Sequence, residues 1–134
     1  MPTVPRGVAL FPADRYALAQ PRGTVTGRVV EEMGRAIVFA EAWRPGFTEV
    51  WDLTLSPTVD VTPSDVARLM VLEDETADRL RGSLTIVVTP RTGLLYAVRF
   101  YAQLMKARGR EVVGVRTQDE AAARLGIGAL PTLE

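Results

Sequence analysis

Thr62 and Ser64 are the side chains of this chain best placed for modification chemistry, because both stand where a strand-like segment gives way to a helix. Residues 50–69 read VWDLTLSPTVDVTPSDVARL: an apolar stretch ends in Asp52, a loop leads to Asp60, and Thr-Pro-Ser-Asp opens an amphipathic helix. Thr62 suits the N-cap, Pro63 the first helical position, and Ser64 and Asp65 place acceptors in the first turn. The unpaired N–H groups of such a helix start favour an anion. A phosphate on Thr62 would bring about two negative charges to that positive end. The same hydroxyl is therefore either a helix cap or a switch.

A second constellation is Thr89-Pro90-Arg91-Thr92-Gly93, delivered by an apolar run to the start of another helix. Ligands sit at the carboxyl edge of parallel sheets, and Arg91 beside free N–H groups near Gly93 has the chemistry to hold a phosphate or carboxylate. It is no P-loop, since the glycines and the Lys-Ser/Thr ending are missing. An ordinary strand-to-helix turn is the alternative. Within the following helix, Leu94, Val98, Tyr101 and Met105 form one stripe, widened by Leu95, Ala102 and Leu104. Arg99, Gln103 and Lys106 make its polar side. Tyr96 and Phe100, four residues apart on the boundary, read as core. Exposed beside Leu95 and Arg99, they would instead make a partner or lipid-contact patch. Trp51 reads as core; Trp43, near a Pro-Gly turn, is open.

The absences are as informative. The 134 residues contain no cysteine and no histidine, and Lys106 is the sole lysine. Thiol chemistry, thiolate metal sites and the commonest general base are thereby excluded, so an enzyme is disfavoured and neither a cofactor nor a metal is expected. Glu31-Glu32 and Glu73-Asp74-Glu75 are consecutive on helices, point different ways, and read as solvated faces. Sixteen basic residues balance sixteen acidic ones, which offers nucleic acid no basic field. No apolar run approaches the ~18–20 residues that span a bilayer, and no secretory signal is apparent, so a cytoplasmic location is expected.

The elements that must position these residues follow from periodicity. Residues 1–14 carry three prolines and a glycine and read as a tail or an edge segment. Strands are expected at Tyr16–Ala19, Thr24–Thr26, 47–53, 84–89 and 111–116. The LTIVVT run at 84–89 has the continuous β-branched character of a strand buried on both faces. Helices are expected from Gly27 to the Arg44-Pro45-Gly46 stop, from Pro63 to Gly82, across 94–108 and over Gln118–Leu125. Glu73 and Asp74 mark a bend in the second helix. Strands alternating with helices imply a mainly parallel sheet.

Asp52-Leu53, then Asp60, then Thr62 at a helix start resembles the STAS domains of anti-sigma-factor antagonists, whose hydroxyl at that helix start is a phosphorylation site. Val61 and Pro63 stand where that pattern has serine and glycine. The second half is similar to the divergent STAS/SEC14-like (SpoIIAA-like) branch: an apolar strand at 85–88, a turn at 90–93, the Gly93-Leu94-Leu95-Tyr96-Ala97-Val98-Arg99 pattern, a strand at 112–115 and an alanine-rich helix at 119–125. The resemblance spans roughly residues 14–126. It implies a regulatory module or a lipid or small-ligand binder, with Asp52 and Asp60 flanking the modified hydroxyl.

The expectation is one α/β STAS-like domain over 14–126, a mostly parallel mixed sheet of about five strands with four helices, between an edge segment at 1–13 and a tail at 127–134. Its expected role is a non-enzymatic protein-interaction module, with Asp52, Asp60, Thr62, Ser64 and Arg68 as partner or phospho-site candidates. The alternative is a binder of lipid or a small anionic ligand, between the sheet and the 94–108 helix, with Arg91, Thr92, Gly93, Tyr96, Arg99 and Phe100 as candidates. A homodimer stays open.

Overall fold

The computed structural model describes residues 5–134 as an α/β fold. Five strands form one mixed sheet in the order β1 (Val8–Phe11), β2 (Tyr16–Ala19), β4 (Thr48–Asp52), β6 (Leu84–Val88), β7 (Glu111–Val115). Only β1 runs antiparallel, as an edge strand paired with β2. This strand lies in the segment read as a tail or an edge, of which residues 1–4 fall outside the described residues. The other pairs are parallel, with Val50 opposite Leu18 and Ile86. A separate parallel ribbon joins β3 (Thr24–Thr26) to β5 (Thr58–Asp60), a stretch that reads as loop in the sequence.

Alternation along the strands divides two interiors. Val50, Ile86, Val88 and Val115 face a core completed by Ala121 of α4 (Gln118–Leu125) and by Leu130. Trp51 faces the other core, with Met33, Ile37 and Val38 of α1 (Gly27–Val38) and with Trp43, Phe47 and Leu80. Next to it, Val98 and Met105 of α3 (Thr92–Lys106) pack on Val112. This contact is close: a Cβ on Gly114 would lie 2.6 Å from the Leu95 side chain. Both tryptophans are buried.

The second helix is shorter than its periodicity suggests. α2 (Pro63–Glu75) ends where Thr76 donates its hydroxyl to the Leu72 carbonyl. The next turn is drawn to the end of α1, because the Trp43 indole donates to the Arg79 carbonyl at 2.7 Å and Arg79 Nε donates to the Val38 carbonyl at 2.6 Å. Gly82, at φ +72°, then turns the chain into β6. Residues after α4 are equally engaged: Gln20 accepts from the Leu133 N–H and donates to the Pro131 carbonyl. No helix among the described residues is long and apolar enough to cross a membrane.

Candidate functional site

Beneath α2 lies a cavity of about 310 Å³. Its floor is the sheet, with Trp51 and Val87; its walls come from α1 (Val30, Gly34) and α3 (Val98, Tyr101), and Leu69 and Leu72 of α2 roof it. The lining is almost wholly aliphatic and aromatic. Gly34 matters here, since it keeps the floor of α1 clear: a Cβ there would meet only Leu72 and Trp51, both at 3.8 Å.

α2 covers this space without filling it. The other three helices each bury residues, whereas α2 buries none. It is held instead at its ends. A capping box fixes its start, Thr62 accepting from the Asp65 N–H and Asp65 from the Thr62 N–H. Those bonds, helped by the paired Arg68, hold the Asp65 carboxyl below its ordinary pKa. At the far end, each member of Glu73-Asp74-Glu75 meets a different arginine: Arg110 at 3.1 Å, Arg108 at 3.1 Å and Arg35 at 3.2 Å. These acids do point different ways, but toward partners and not simply into solvent. The Glu73–Arg110 pair is buried, so separating it would leave an uncompensated charge.

One carboxylate stands out at the polar end of the cavity. Glu49 of β4 is only 7% exposed and lines the space. Oε1 accepts from the Trp51 indole N–H at 2.7 Å and from the Thr85 hydroxyl at 3.4 Å. Oε2 has no hydrogen-bond partner among the described residues, and no closed-off buried polar atom lacks one, so this oxygen is reached from the cavity. Burial pushes the Glu49 pKa up, against the opposing effects of the Trp51 bond and the Arg110 charge. Arg110 is already taken: it donates to Glu73, to the Ser83 carbonyl and to the Thr85 hydroxyl. The Tyr101 hydroxyl is likewise raised by burial, and next by the charges of Glu73 and Glu49, so it stays protonated at neutral pH.

The residues singled out from sequence lie elsewhere. Asp52 is fully buried on the opposite face of β4, where it accepts from Gln20, Gln118 and twice from Thr54. None of its hydrogen bonds goes to Asp60, Thr62, Ser64 or Arg68. Asp60 ends β5 and is exposed, as are Thr62, Ser64 and Arg68. Arg91 caps α3 and donates to the Ser56 carbonyl at 2.6 Å, bracing two loops. Thr92 and Gly93 are exposed beside it. Tyr96 and Phe100 are 65% and 69% exposed, with the Arg99 guanidinium 5.9 Å from the Tyr96 ring centre. They are therefore surface and not core, and none of these six α3 candidates lines the cavity. The cavity does touch α3, through Leu94, Ala97, Val98 and Tyr101. No group of three potential metal ligands occurs among the described residues.

Glu49 escaped the sequence reading. Its signal was present: an acid on the strand face it shares with Phe47, Trp51 and Leu53, two residues before the tryptophan. Compared with models of known protein families, with curated proteins and with solved structures, the chain has no match in any of the three.

Proposed function

We propose that this protein is a non-enzymatic binder of a small apolar molecule, held in the cavity beneath α2. The observation that carries this reading is the cavity itself, about 310 Å³ with an apolar lining under a helix that buries nothing. That volume falls at the lower end of the roughly 300–1,000 Å³ typical of small-molecule sites. The pocket is partly open to solvent, and apolar surface gathered in a concave site of this size is the usual lining of a small-molecule site. The small-ligand role implied by the STAS/SEC14-like resemblance agrees with it. Thr62 as a phospho-switch has less support, because its hydroxyl already serves the capping box.

The test is native mass spectrometry of the purified protein, followed by titration with toluene as an apolar probe. Wild type is expected to carry a small molecule or to bind toluene saturably. Gly34→Leu, which places a side chain between Leu72 and Trp51, is expected to abolish both while the melting temperature holds. A bare mass together with no toluene binding would overturn the reading.

A further inference from the structure

We infer that the cavity selects apolar molecules ending in a hydrogen-bond donor, an alcohol or an amine, and that Glu49 Oε2 is the group receiving that end. The inference rests on the cavity being a ligand site and specifies which ligands it takes.

The polar end of the cavity has a definite sign. The groups facing Glu49 are Glu73 from α2, Tyr101 from α3, Thr85 from β6, Arg110 at the start of β7, and Trp51 on its own strand. Counted with Glu49 itself, they include two acids and one base. Three of its N–H groups donate to protein acceptors, its charge is paired with Glu73, and it does not line the cavity. The Trp51 N–H is spent too, on Glu49 Oε1. What remains for a ligand is an acceptor, Oε2, on a side chain 7% exposed. A carboxylate or phosphate brought here would meet two acids with no free cation to offset it, in surroundings where little water screens the repulsion. An alcohol donates one hydrogen bond to Oε2. An ammonium does the same and also offsets a net negative trio of Glu49, Glu73 and Arg110 when Glu49 is ionised. Buried donors and acceptors left without partners are costly, which gives such a site its discrimination.

Glutamine at position 49 makes a sharp probe. Its single oxygen must keep accepting from Trp51, so its amide NH2 turns to the cavity and an acceptor becomes a donor. The experiment is calorimetric titration of wild type and Glu49→Gln at pH 7 with octan-1-ol, octylamine, octanoate and toluene. Wild type is expected to bind the alcohol and the amine at least about tenfold more tightly than octanoate. In Glu49→Gln that preference is expected to vanish or reverse. Octanoate binding wild type as tightly as octylamine and octan-1-ol would overturn the donor-head inference and leave the cavity reading standing. A preference that survives Glu49→Gln would overturn the role of Glu49. Failure of all four probes, toluene included, would overturn the cavity reading itself. The wild-type comparison needs no variant to fold.

Discussion

β4 carries two buried carboxylates, three residues apart and on opposite faces of one sheet. Asp52 accepts four hydrogen bonds, from Gln20, Gln118 and both the backbone and hydroxyl of Thr54. Glu49 has one oxygen partnered and the other open to a cavity. Around Asp52 the chain has closed in: the same Gln20 also holds the Pro131 and Leu133 backbone, and Arg91 ties the neighbouring loop to Ser56. Around Glu49 a helix stands off, fastened by its cap and by ion pairs. Burial alone therefore does not mark a working group. A saturated carboxylate is a structural pin, whereas a half-satisfied one lining an apolar pocket fits the proposed ligand site.

The comparison can be broken most forcefully at the pin. Asp52→Ala leaves the Gln20, Gln118 and Thr54 donors unpaired inside the protein, and a loss of about 3 kcal/mol is expected in urea denaturation. A loss no larger than that of a surface substitution would remove the distinction between the two acids. The next effect contrasts tight and open packing on the cavity side of the sheet. Gly114→Ala forces a Cβ to 2.6 Å from Leu95, which is expected to cost about 1–3 kcal/mol by the same measurement. Gly34→Ala meets nothing closer than 3.8 Å and replaces glycine within a helix, so it is expected to stabilise by about 1 kcal/mol. If both alanines destabilise equally, the space beneath α2 is not open.

A further contrast is a pH dependence at Glu49. Its pKa is raised in the folded protein, while the unfolded chain ionises near about 4.3. As pH climbs past that point the unfolded state releases the proton first, so stability falls until pH passes the folded value. Glu49→Gln has no such proton to hold. Melting curves from about pH 4 to 8 should show the variant gaining on wild type as pH rises. A gap that stays constant, or closes with rising pH, would mean that burial does not raise the Glu49 pKa.

Much of the scaffold was legible before any coordinates. The β-branched run at β6, the Thr62 cap with Pro63 opening α2, and the helix over Gln118–Leu125 all speak through local chemistry. What stayed hidden depends on contacts distant in sequence. β5 is three residues long and is defined by pairing with β3. α2 ends at Glu75 because Trp43, far back in the chain, takes hold of the following turn. Tyr96 and Phe100 sit at a helix boundary that pattern alone assigns to neither interior nor surface. The cavity is the extreme case. Val66, Leu69 and Leu72 give the same amphipathic stripe whether α2 packs on a sheet or roofs an empty space. Asp52 was noticed for its place in a motif and proves to be a pin; Glu49, three residues earlier, belongs to no motif.

The most direct measurement is a methyl NMR titration of the wild-type protein with octan-1-ol, because the two faces of the sheet carry separate sets of reporters. Saturable shifts are expected at Leu53, Val66, Leu69, Leu72, Val87 and Val98, which line the cavity, and none at Val50, Ile86, Val88 or Val115 across the sheet. Shifts spread evenly over both sets, or absent from the first, would contradict a binding site beneath α2.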